Sequence, residues 1–458
     1  MNKANPQNTS QASVGISILK LLPWAYVFFL SIAFMGAGMK ASFKAPLKAY
    51  LHDHAADFTE LVSFVIGVIG TSLVQSSSTV TSMAVVLTQE EIVPLIIAIG
   101  IVHGANLGTS VTSSLVAFAA ETRQFTGNIF KDAWALLFAR RNPGFRRAVG
   151  TAVVHGLFNA VLVTGILLAF ELPFGLIHNL SEWTAGSIGG ALAGGGNMME
   201  VLTWVSPGTY TKPVAKAMMH AGAPGWVMVV LGFVALFVAL KGFSATMRTA
   251  LNLDNDDPTD DIDVEAIGVK LLGSHPLDTF MRGLILTILV QSSSATTSMV
   301  VPLAAMGFFS LRQIFPFILG ANIGTTTTAL LAASTAVGQP GFEAGLTIAL
   351  SHFYLNSFAV LLVVVVPGLQ DSVLACTEWL SDAAVKVPAV LLGYLVAMSV
   401  ALPVLVFFSP DIVSRVVLGS IVAVMLIAPH VYSRRKAGEL TTLGELGATD
   451  DSTDVRAA

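Results

Sequence analysis

The sequence predicts an all-α polytopic membrane protein that contains two inverted-topology repeats with re-entrant hairpins and broken transmembrane helices. Of its 458 residues, 54% are hydrophobic and only 11% are charged, and the mean hydropathy is +0.75. A soluble domain carries about 25% charged residues. The segment at 71–87 returns at 287–303 with 12 of 17 positions identical, and the segment at 104–112 returns at 320–328, displaced by the same 216 residues.

Apolar runs along the chain predict transmembrane helices, because about 20 apolar residues span a bilayer. The runs lie near 17–38, 149–170, 225–244, 345–367, 384–408 and 414–432. The stretches 59–121 and 275–335 are also apolar, but the duplicated polar segments interrupt them. Non-helical backbone survives at membrane depth only beside protein or a water-filled cavity, so each stretch is expected to hold re-entrant or broken helices. Such paired interruptions are typical of secondary transporters.

The same features divide the chain into segments. We expect a polar N-terminal segment (1–15), a first repeat half (16–170), an extracytoplasmic segment (171–222), a linking helix (223–250), an acidic cytoplasmic linker (251–274), a second repeat half (275–370), C-terminal helices (384–433) and a disordered tail (437–458). The acidic linker could also be imagined as a calcium loop, but it lacks the regular ligand spacing and the glycine of an EF-hand.

Counting spans from a cytoplasmic N-terminus predicts the orientation of the repeats. The first polar segment is then entered from outside and the second from the cytoplasm, which makes the repeats inverted. Both termini are expected to be cytoplasmic, and two basic clusters then lie inside, as the positive-inside bias favours: Arg140, Arg141, Arg146 and Arg147, and Arg434, Arg435 and Lys436. Three lysines run against this bias because they would lie outside: Lys40, Lys44 and Lys48.

Composition excludes several partners and chemistries. A net charge of −4 without a clustered basic face predicts no nucleic-acid partner. The single cysteine, Cys376, allows no intramolecular disulfide and no cysteine-built metal site. We expect no cofactor and no enzymatic activity. A Ser/His hydrolase is the least favoured alternative, since the chain has no G-x-S-x-G motif and the serine clusters have no adjacent acid.

The duplicated segments carry a dense set of hydroxyl groups. Six of eight positions are serine or threonine from Gln75 to Ser82, and again from Gln291 to Ser298. Hydroxyls and the glutamine amide can donate to an anion's oxygen atoms or present their own oxygens to a cation. A helix N-terminus exposed there would add anion affinity without a buried basic residue. The bound anion's charge would then be balanced by a co-transported cation.

The second duplicated motif is G-A-N-x-G-T. We expect its glycines to let the backbone unwind and turn carbonyl groups inward, and these glycines are Gly104, Gly108, Gly320 and Gly324. Asn106 and Asn322 add side-chain oxygens. Unwound carbonyls and hydroxyls suit a hard monovalent cation. Small and hydroxyl residues also serve helix packing, but packing alone does not require both motifs twice, each pair 29 residues apart.

A third pair of motifs is H-x-x-x-N. His155 stands four residues before Asn159, and His352 stands four residues before Asn356, so each pair shares one helix face. No nearby Cys, Asp or Glu completes a metal or catalytic site with either pair. We expect hydrogen bonds between helices, or a supporting role at the binding site.

With these motifs, the chain resembles the type II sodium-dependent phosphate cotransporter family. The resemblance covers roughly residues 20–430, and it includes both Q-S-S-S and both G-A-N-x-G-T motifs, F-R-R-A at 145–148 and both His/Asn pairs. It implies import of inorganic phosphate, mainly in the divalent form, driven by the sodium gradient. It also implies a scaffold of two inverted repeats with cytoplasmic ends, in contact with the lipid bilayer.

The resemblance assigns site residues by matching motif positions. The phosphate-binding serines are Ser76, Ser77, Ser78, Ser292, Ser293 and Ser294, to which we add Gln75, Asn106 and Asn322. The sodium-binding residues are Gln291, Ser293, Thr325 and Thr328, and their counterparts by symmetry are Gln75, Thr109 and Thr112. His155, Asn159, His352 and Asn356 are supporting residues. Sodium is the only metal expected.

Two features refine this expectation. Members of the family that the chain resembles carry an acidic residue before F-R-R-A when they move net charge, but here this residue is Gly144. The resemblance therefore implies electroneutral transport of two sodium ions with one divalent phosphate. The segment 171–223 lacks cysteines, which favours a bacterial inner-membrane protein. Two alternatives remain open, because a hydroxyl cage could select another oxyanion, and a binding protein could act as a sensor without transport.

Overall fold

The computed structural model describes residues 60–89, 93–119, 141–192, 207–250, 272–334 and 341–404, with short pieces between 20 and 42 and between 416 and 427. All regular secondary structure in this part of the chain is helical, as predicted. The N-terminal segment 1–15, most of the acidic linker, parts of the predicted span at 17–38, most of that at 414–432, and the tail lie outside the described residues.

Fifteen helices are used below. The helices of the first half are α1 (Glu60–Val74), α2 (Ser77–Gln89), α3 (Leu95–Gly108), α4 (Ser110–Ala119), α5 (Pro143–Phe158), α6 (Leu176–Leu192), α7 (Pro207–His220) and α8 (Gly225–Ala250). Those of the second half are α9 (Pro276–Val290), α10 (Ser293–Ala305), α11 (Leu311–Gly324), α12 (Thr327–Ser334), α13 (Phe342–Val365), α14 (Leu369–Lys386) and α15 (Ala389–Val396). Helix α5 continues through π-helical turns at Asn159–Val163 and Leu167–Glu171 to Phe174.

Four helical segments are long and apolar enough to cross a membrane: Leu95–Phe118, Pro143–Phe174, Leu311–Ala333 and Phe342–Val365. The second and fourth match the predicted helices near 149–170 and 345–367. The other two are the G-A-N-x-G-T segments, which run through only slight breaks after Gly108 and Gly324. The protein is therefore a multi-pass membrane protein.

The predicted run at 384–408 is wrong at its start. Helix α14 ends at Lys386, Val387 is extended with φ −139° and ψ 95°, and α15 begins only at Ala389. Proline disfavours helical backbone in the residue before it, so Pro388 divides the run. The segment 171–222 contains the helices α6 and α7, and its extracytoplasmic location stays a prediction.

Each Q-S-S-S motif forms a break between two helices. Gln75 and Gln291 both have φ of 56°, and they are the two non-glycine residues with positive φ in the described part of the chain. Left-handed backbone costs a residue with a Cβ atom about 1–2 kcal/mol. Strained positions of this kind persist where surrounding contacts fix them, often at functional sites. The breaks are thus present, while their re-entrant and inverted arrangement stays a prediction.

The motif glycines pack helices together, and the prediction that they unwind the backbone was wrong for Gly104 and Gly320, which lie inside helices. All four lie within α3 or α11. A Cβ atom at Gly104 would stand 1.8 Å from the Phe64 carbonyl oxygen of α1, and one at Gly320 would stand 2.0 Å from the Phe280 carbonyl oxygen of α9. Glycine is needed because the backbones of each helix pair nearly touch.

Two central helices each lie against helices of the opposite repeat. Helix α5 packs against α14 and α10 as well as α4, and α13 packs against α2 and α3 as well as α6 and α12. The ring of Phe158 on the first-half side meets that of Phe315 edge to face, 6.2 Å between centroids. This crossed packing places the two Q-S-S-S breaks near each other.

We expect Gly104→Ala to lower the thermal midpoint of purified protein in detergent. The added methyl group collides with backbone, and overpacking costs about 1–3 kcal/mol even where side chains can move aside. Gly393→Ala is the control, because this exposed residue of α15 has no atom within 4 Å of the added position. Equal midpoints for the two variants would contradict the close contact of α1 with α3.

We also expect backbone conformation to decide which residues position 291 accepts. Gln291→Gly should keep the thermal midpoint, since glycine adopts positive φ readily. Gln291→Val should lower it, because a β-branched residue is strained in this conformation. The same order is expected at Gln75. A glycine variant destabilised as much as the valine variant would show that the side chain, and not the backbone, holds the turn.

Candidate functional site

Several serine and threonine hydroxyl groups form contacts between the two repeats. Ser78 Oγ donates to the Gln291 carbonyl oxygen at 3.0 Å, and Thr328 Oγ1 lies 3.2 Å from Ser78 Oγ. Ser113 Oγ lies 3.1 Å from Thr297 Oγ1, and both side chains are fully buried. Residues more than 180 positions apart in sequence therefore form one polar cluster between the repeats.

The predicted sodium residues of the second repeat come together around this cluster. Thr325 Oγ1 donates to Ser293 Oγ at 3.2 Å, and Thr328 Oγ1 also reaches the Thr325 carbonyl oxygen at 2.8 Å. Gln291 Nε2 is buried and has no hydrogen-bond partner among the described residues. These groups supply neutral oxygen atoms, which suit a monovalent cation, and one amide donor.

Of the corresponding residues of the first repeat, Gln75 and Thr112 are adjacent, and the pairing differs from that of the second repeat. Thr112 Oγ1 donates to Gln75 Oε1 at 2.6 Å, and Gln75 Nε2 donates to the Ser72 carbonyl oxygen at 2.5 Å. Thr109 Oγ1 donates to the Asn106 carbonyl oxygen at 2.7 Å. The two candidate cation sites are thus similar in residue type and unlike in geometry.

Two predicted phosphate-binding serines begin helices. Ser292 Oγ accepts from the Ala295 backbone N–H at 3.2 Å, and Ser76 Oγ accepts from the Thr79 backbone N–H at 3.2 Å. This is N-capping, which satisfies a backbone donor in the first turn. Because α2 and α10 both begin here, their positive dipole ends lie at the breaks. Ser77, Ser293 and Ser294 follow in the first turns and are buried.

Asn106 and Asn322 form the centre of a buried network instead of pointing free side chains toward the serines. His155 Nε2 lies 2.8 Å from Asn322 Oδ1, and His352 Nε2 lies 3.2 Å from Asn106 Oδ1. Asn322 Nδ2 donates to Asn159 Oδ1 at 3.0 Å and to Asn356 Oδ1 at 2.7 Å. The interhelical hydrogen bonds expected for the H-x-x-x-N pairs are present. Phosphate binding by these asparagines stays a prediction.

The F-R-R-A stretch connects the first half to the second. Arg147 caps the C-terminal end of α10, with its Nε atom 3.1 Å from the Ala304 carbonyl oxygen and a terminal nitrogen 2.9 Å from that of Ala305. Arg146 pairs with Asp382 of α14. Cations stabilise helix C-termini. Arg147 thus stabilises the C-terminal end of α10, the helix that begins at the second Q-S-S-S motif.

Sequence reasoning missed several buried polar residues. Thr71 and Thr287 occupy corresponding positions of the repeat, and the hydroxyl of each is buried without a partner in the described structure. Both belong to the duplicated 17-residue segment, so the duplication was a signal that could have identified them. Ser113 and His103 carry no such signal. Among the described residues, no three His, Cys, Asp or Glu side chains are placed to hold a metal ion.

Comparison with known proteins identifies relatives that match up to 77% of the chain. The chain is 26% identical over 416 residues to sodium-dependent phosphate transport protein 2A of Mus musculus, covering 77% of this chain and 61% of the relative. It is 26% identical over 433 residues to protein 2B of Homo sapiens, covering 75% and 58%. Protein 2C of Homo sapiens is 38% identical over 152 residues, covering 32% and 23%.

These relatives are longer proteins. The chain spans about three fifths of the length of the 2A and 2B proteins that it matches. No solved structure shows a significant similarity to it. The model of the Na+/Pi-cotransporter family matches residues 27–206 and 267–401, which is more than half of the chain and includes every motif described above. The chain belongs to the Na+/Pi-cotransporter family.

Proposed function

We propose that the protein imports inorganic phosphate together with sodium by alternating access. Membership of the Na+/Pi-cotransporter family supports this function. The observation that carries it is the contact between the two Q-S-S-S breaks, where Ser78 meets Gln291 and Thr328 of the other repeat. A site made jointly by two repeats is what rocking of one part against another requires in order to expose a ligand to either side.

The anion binds between the first turns of α2 and α10. Serine hydroxyls donate to phosphate oxygens, and the two helix N-termini add positive dipole ends. Neither duplicated 17-residue segment contains a lysine or arginine. Sodium ions therefore balance the charge of the bound phosphate, which couples the two fluxes.

The coupling ions bind to neutral oxygen atoms beside the serines. In the second repeat these belong to Gln291, Ser293, Thr325 and Thr328, which the structure brings into one cluster. In the first repeat Gln75, Thr109 and Thr112 form the counterpart. Two sodium ions with one divalent phosphate make the cycle electroneutral.

Alternating access follows from the contacts that a bound ligand would replace. Ser78 and Thr328 hold the breaks together through hydroxyl groups that also serve as ligands. Binding exchanges these hydrogen bonds for ligand contacts, which lowers the cost of separating the two breaks. A ligand shifts this equilibrium by its difference in affinity for the two states.

The test is uptake of radiolabelled phosphate into proteoliposomes, with external sodium replaced by potassium or choline in parallel samples. Accumulation that depends on sodium is expected. Competition with sulfate, arsenate and carboxylates identifies the anion in the same assay. Phosphate binding without accumulation would contradict transport and favour a sensor. If phosphate neither binds nor accumulates, the hydroxyl site serves another anion.

We expect Ser293→Ala and Ser78→Ala to raise the apparent KM for sodium or phosphate, or to abolish uptake. Each variant leaves a buried partner without its hydrogen bond, at a cost of about 1–3 kcal/mol. Ser187→Ala is the control, because this exposed serine donates to the Trp183 carbonyl oxygen within α6 and lies outside the polar cluster. Wild-type kinetics in both site variants at normal expression would remove these serines from the site.

We expect the transport cycle to move no net charge. Proteoliposomes clamped at different membrane potentials should therefore accumulate phosphate at the same initial rate, and phosphate should evoke no current on a solid-supported membrane. A phosphate-dependent inward current would rule out the stoichiometry of two sodium ions to one divalent phosphate.

A further inference from the structure

Each histidine of the two H-x-x-x-N motifs contacts an asparagine of the opposite repeat. His155 belongs to the first repeat and contacts Asn322 of the second, whereas His352 belongs to the second and contacts Asn106 of the first. All four side chains are buried, with exposed fractions of 0% or 1%. A polar group in such surroundings is costly unless it is paired, so these contacts hold firmly.

The neighbours of Asn322 fix the direction of its bond with His155. Both amide hydrogens of Asn322 are used, one toward Asn159 and one toward Asn356. Its oxygen atom therefore faces His155, and the histidine donates from Nε2. His155 Nδ1 has no partner among the described residues, as expected for a neutral ring with its proton on Nε2.

Asn322 is joined closely to the candidate sodium site. It lies in the last turn of α11, three residues before Thr325, whose backbone N–H still bonds to the Ala321 carbonyl oxygen at 3.2 Å. The Thr325 hydroxyl contacts Ser293 Oγ, and the Thr325 carbonyl oxygen accepts from Thr328 Oγ1. A rotation of this helix end would move both oxygen atoms of Thr325.

We propose that His155 is a positioning residue for the sodium site of the opposite repeat, acting through Asn322 on Thr325. This inference rests on the proposed function, because it deepens the assignment of that same site. A π-helical turn begins at Asn159, the residue that bonds to Asn322 and, at 2.9 Å, to the Asn106 carbonyl oxygen. Such turns are frequent at functional sites.

The network of the first repeat is looser. His352 lies 3.2 Å from Asn106 Oδ1, Asn356 Nδ2 lies 3.5 Å from it, and Asn106 Nδ2 has no partner among the described residues. Asn322 has contacts of 2.7 to 3.0 Å. Loss of His155 should therefore disturb sodium binding more than loss of His352.

The test compares His155→Leu, which removes the donor, with His155→Gln, whose amide nitrogen can take the place of Nε2. Two quantities are measured: the apparent KM for sodium in phosphate uptake, and the sodium concentration that gives half of the rise in thermal midpoint in detergent. We expect His155→Leu to raise both about tenfold, as for loss of one buried hydrogen bond. The maximal rate at saturating sodium should persist, and His155→Gln should restore both quantities.

The matched control is His103→Leu. His103 is another fully buried histidine, its Nε2 bonds to Ser351 Oγ at 2.9 Å, and leucine already stands at the corresponding position 319. It should leave the sodium response nearly unchanged. If His155→Leu does not fold, His155→Asn replaces it, because its shorter side chain stays polar but does not reach Asn322.

The outcomes separate this inference from the proposed function. Unchanged sodium responses in the His155 variants, or an equal change in His103→Leu, would overturn the positioning role. A wild-type protein that sodium stabilises but that accumulates no phosphate would overturn transport alone, and the thermal measurement would still decide the role of His155. A wild-type protein with no response to sodium would overturn both.

Discussion

The arrangement of the helices depends on one constraint: polar groups buried in a largely apolar protein need partners, and here the partners come from the opposite repeat. Ser78 bonds to Gln291, Ser113 contacts Thr297, His155 contacts Asn322 and His352 contacts Asn106. An unpaired buried polar group costs about 1–3 kcal/mol. Separation of the repeats would therefore leave several buried polar groups unpaired at once, unless water or bound ions replace the lost contacts.

Close packing of glycine backbones makes these bonds possible. Within each repeat, α1 with α3 and α9 with α11 approach until a single methyl group would collide with a carbonyl oxygen. Each pair is thus a rigid unit that carries its break and its asparagine at fixed relative positions. Small residues serve helix association in membranes in the same way. The polar cluster lies where the rigid pairs meet. Motion of one pair against the other would therefore change the distances between its hydroxyl groups.

The sequence predicted the helical class and the two breaks, because duplication and hydropathy are local properties that can be read along the chain. It did not predict the partners. That Asn322 bonds to His155, or that Ser78 reaches Gln291, depends on how distant helices cross, and no single-sequence pattern records this. The glycines of G-A-N-x-G-T show the limit best, since glycine permits both unwinding and close approach, and only the backbone of Phe64 beside Gly104 decides between them. Pro388 indicates a helix boundary in the sequence, but the span at 384–408 was predicted from hydropathy alone.

The crossed arrangement can be tested most directly by a disulfide between the repeats. Ser78→Cys and Thr328→Cys, combined in a Cys376→Ala background, place two thiols where the hydroxyl oxygens lie 3.2 Å apart. Oxidation should join the peptides that contain positions 78 and 328, as read by mass spectrometry, and a reductant should separate them. Absence of this cross-link in folded protein, or equal cross-linking of Ser78→Cys with Ser187→Cys, would contradict the contact of the two breaks on which the proposed site depends.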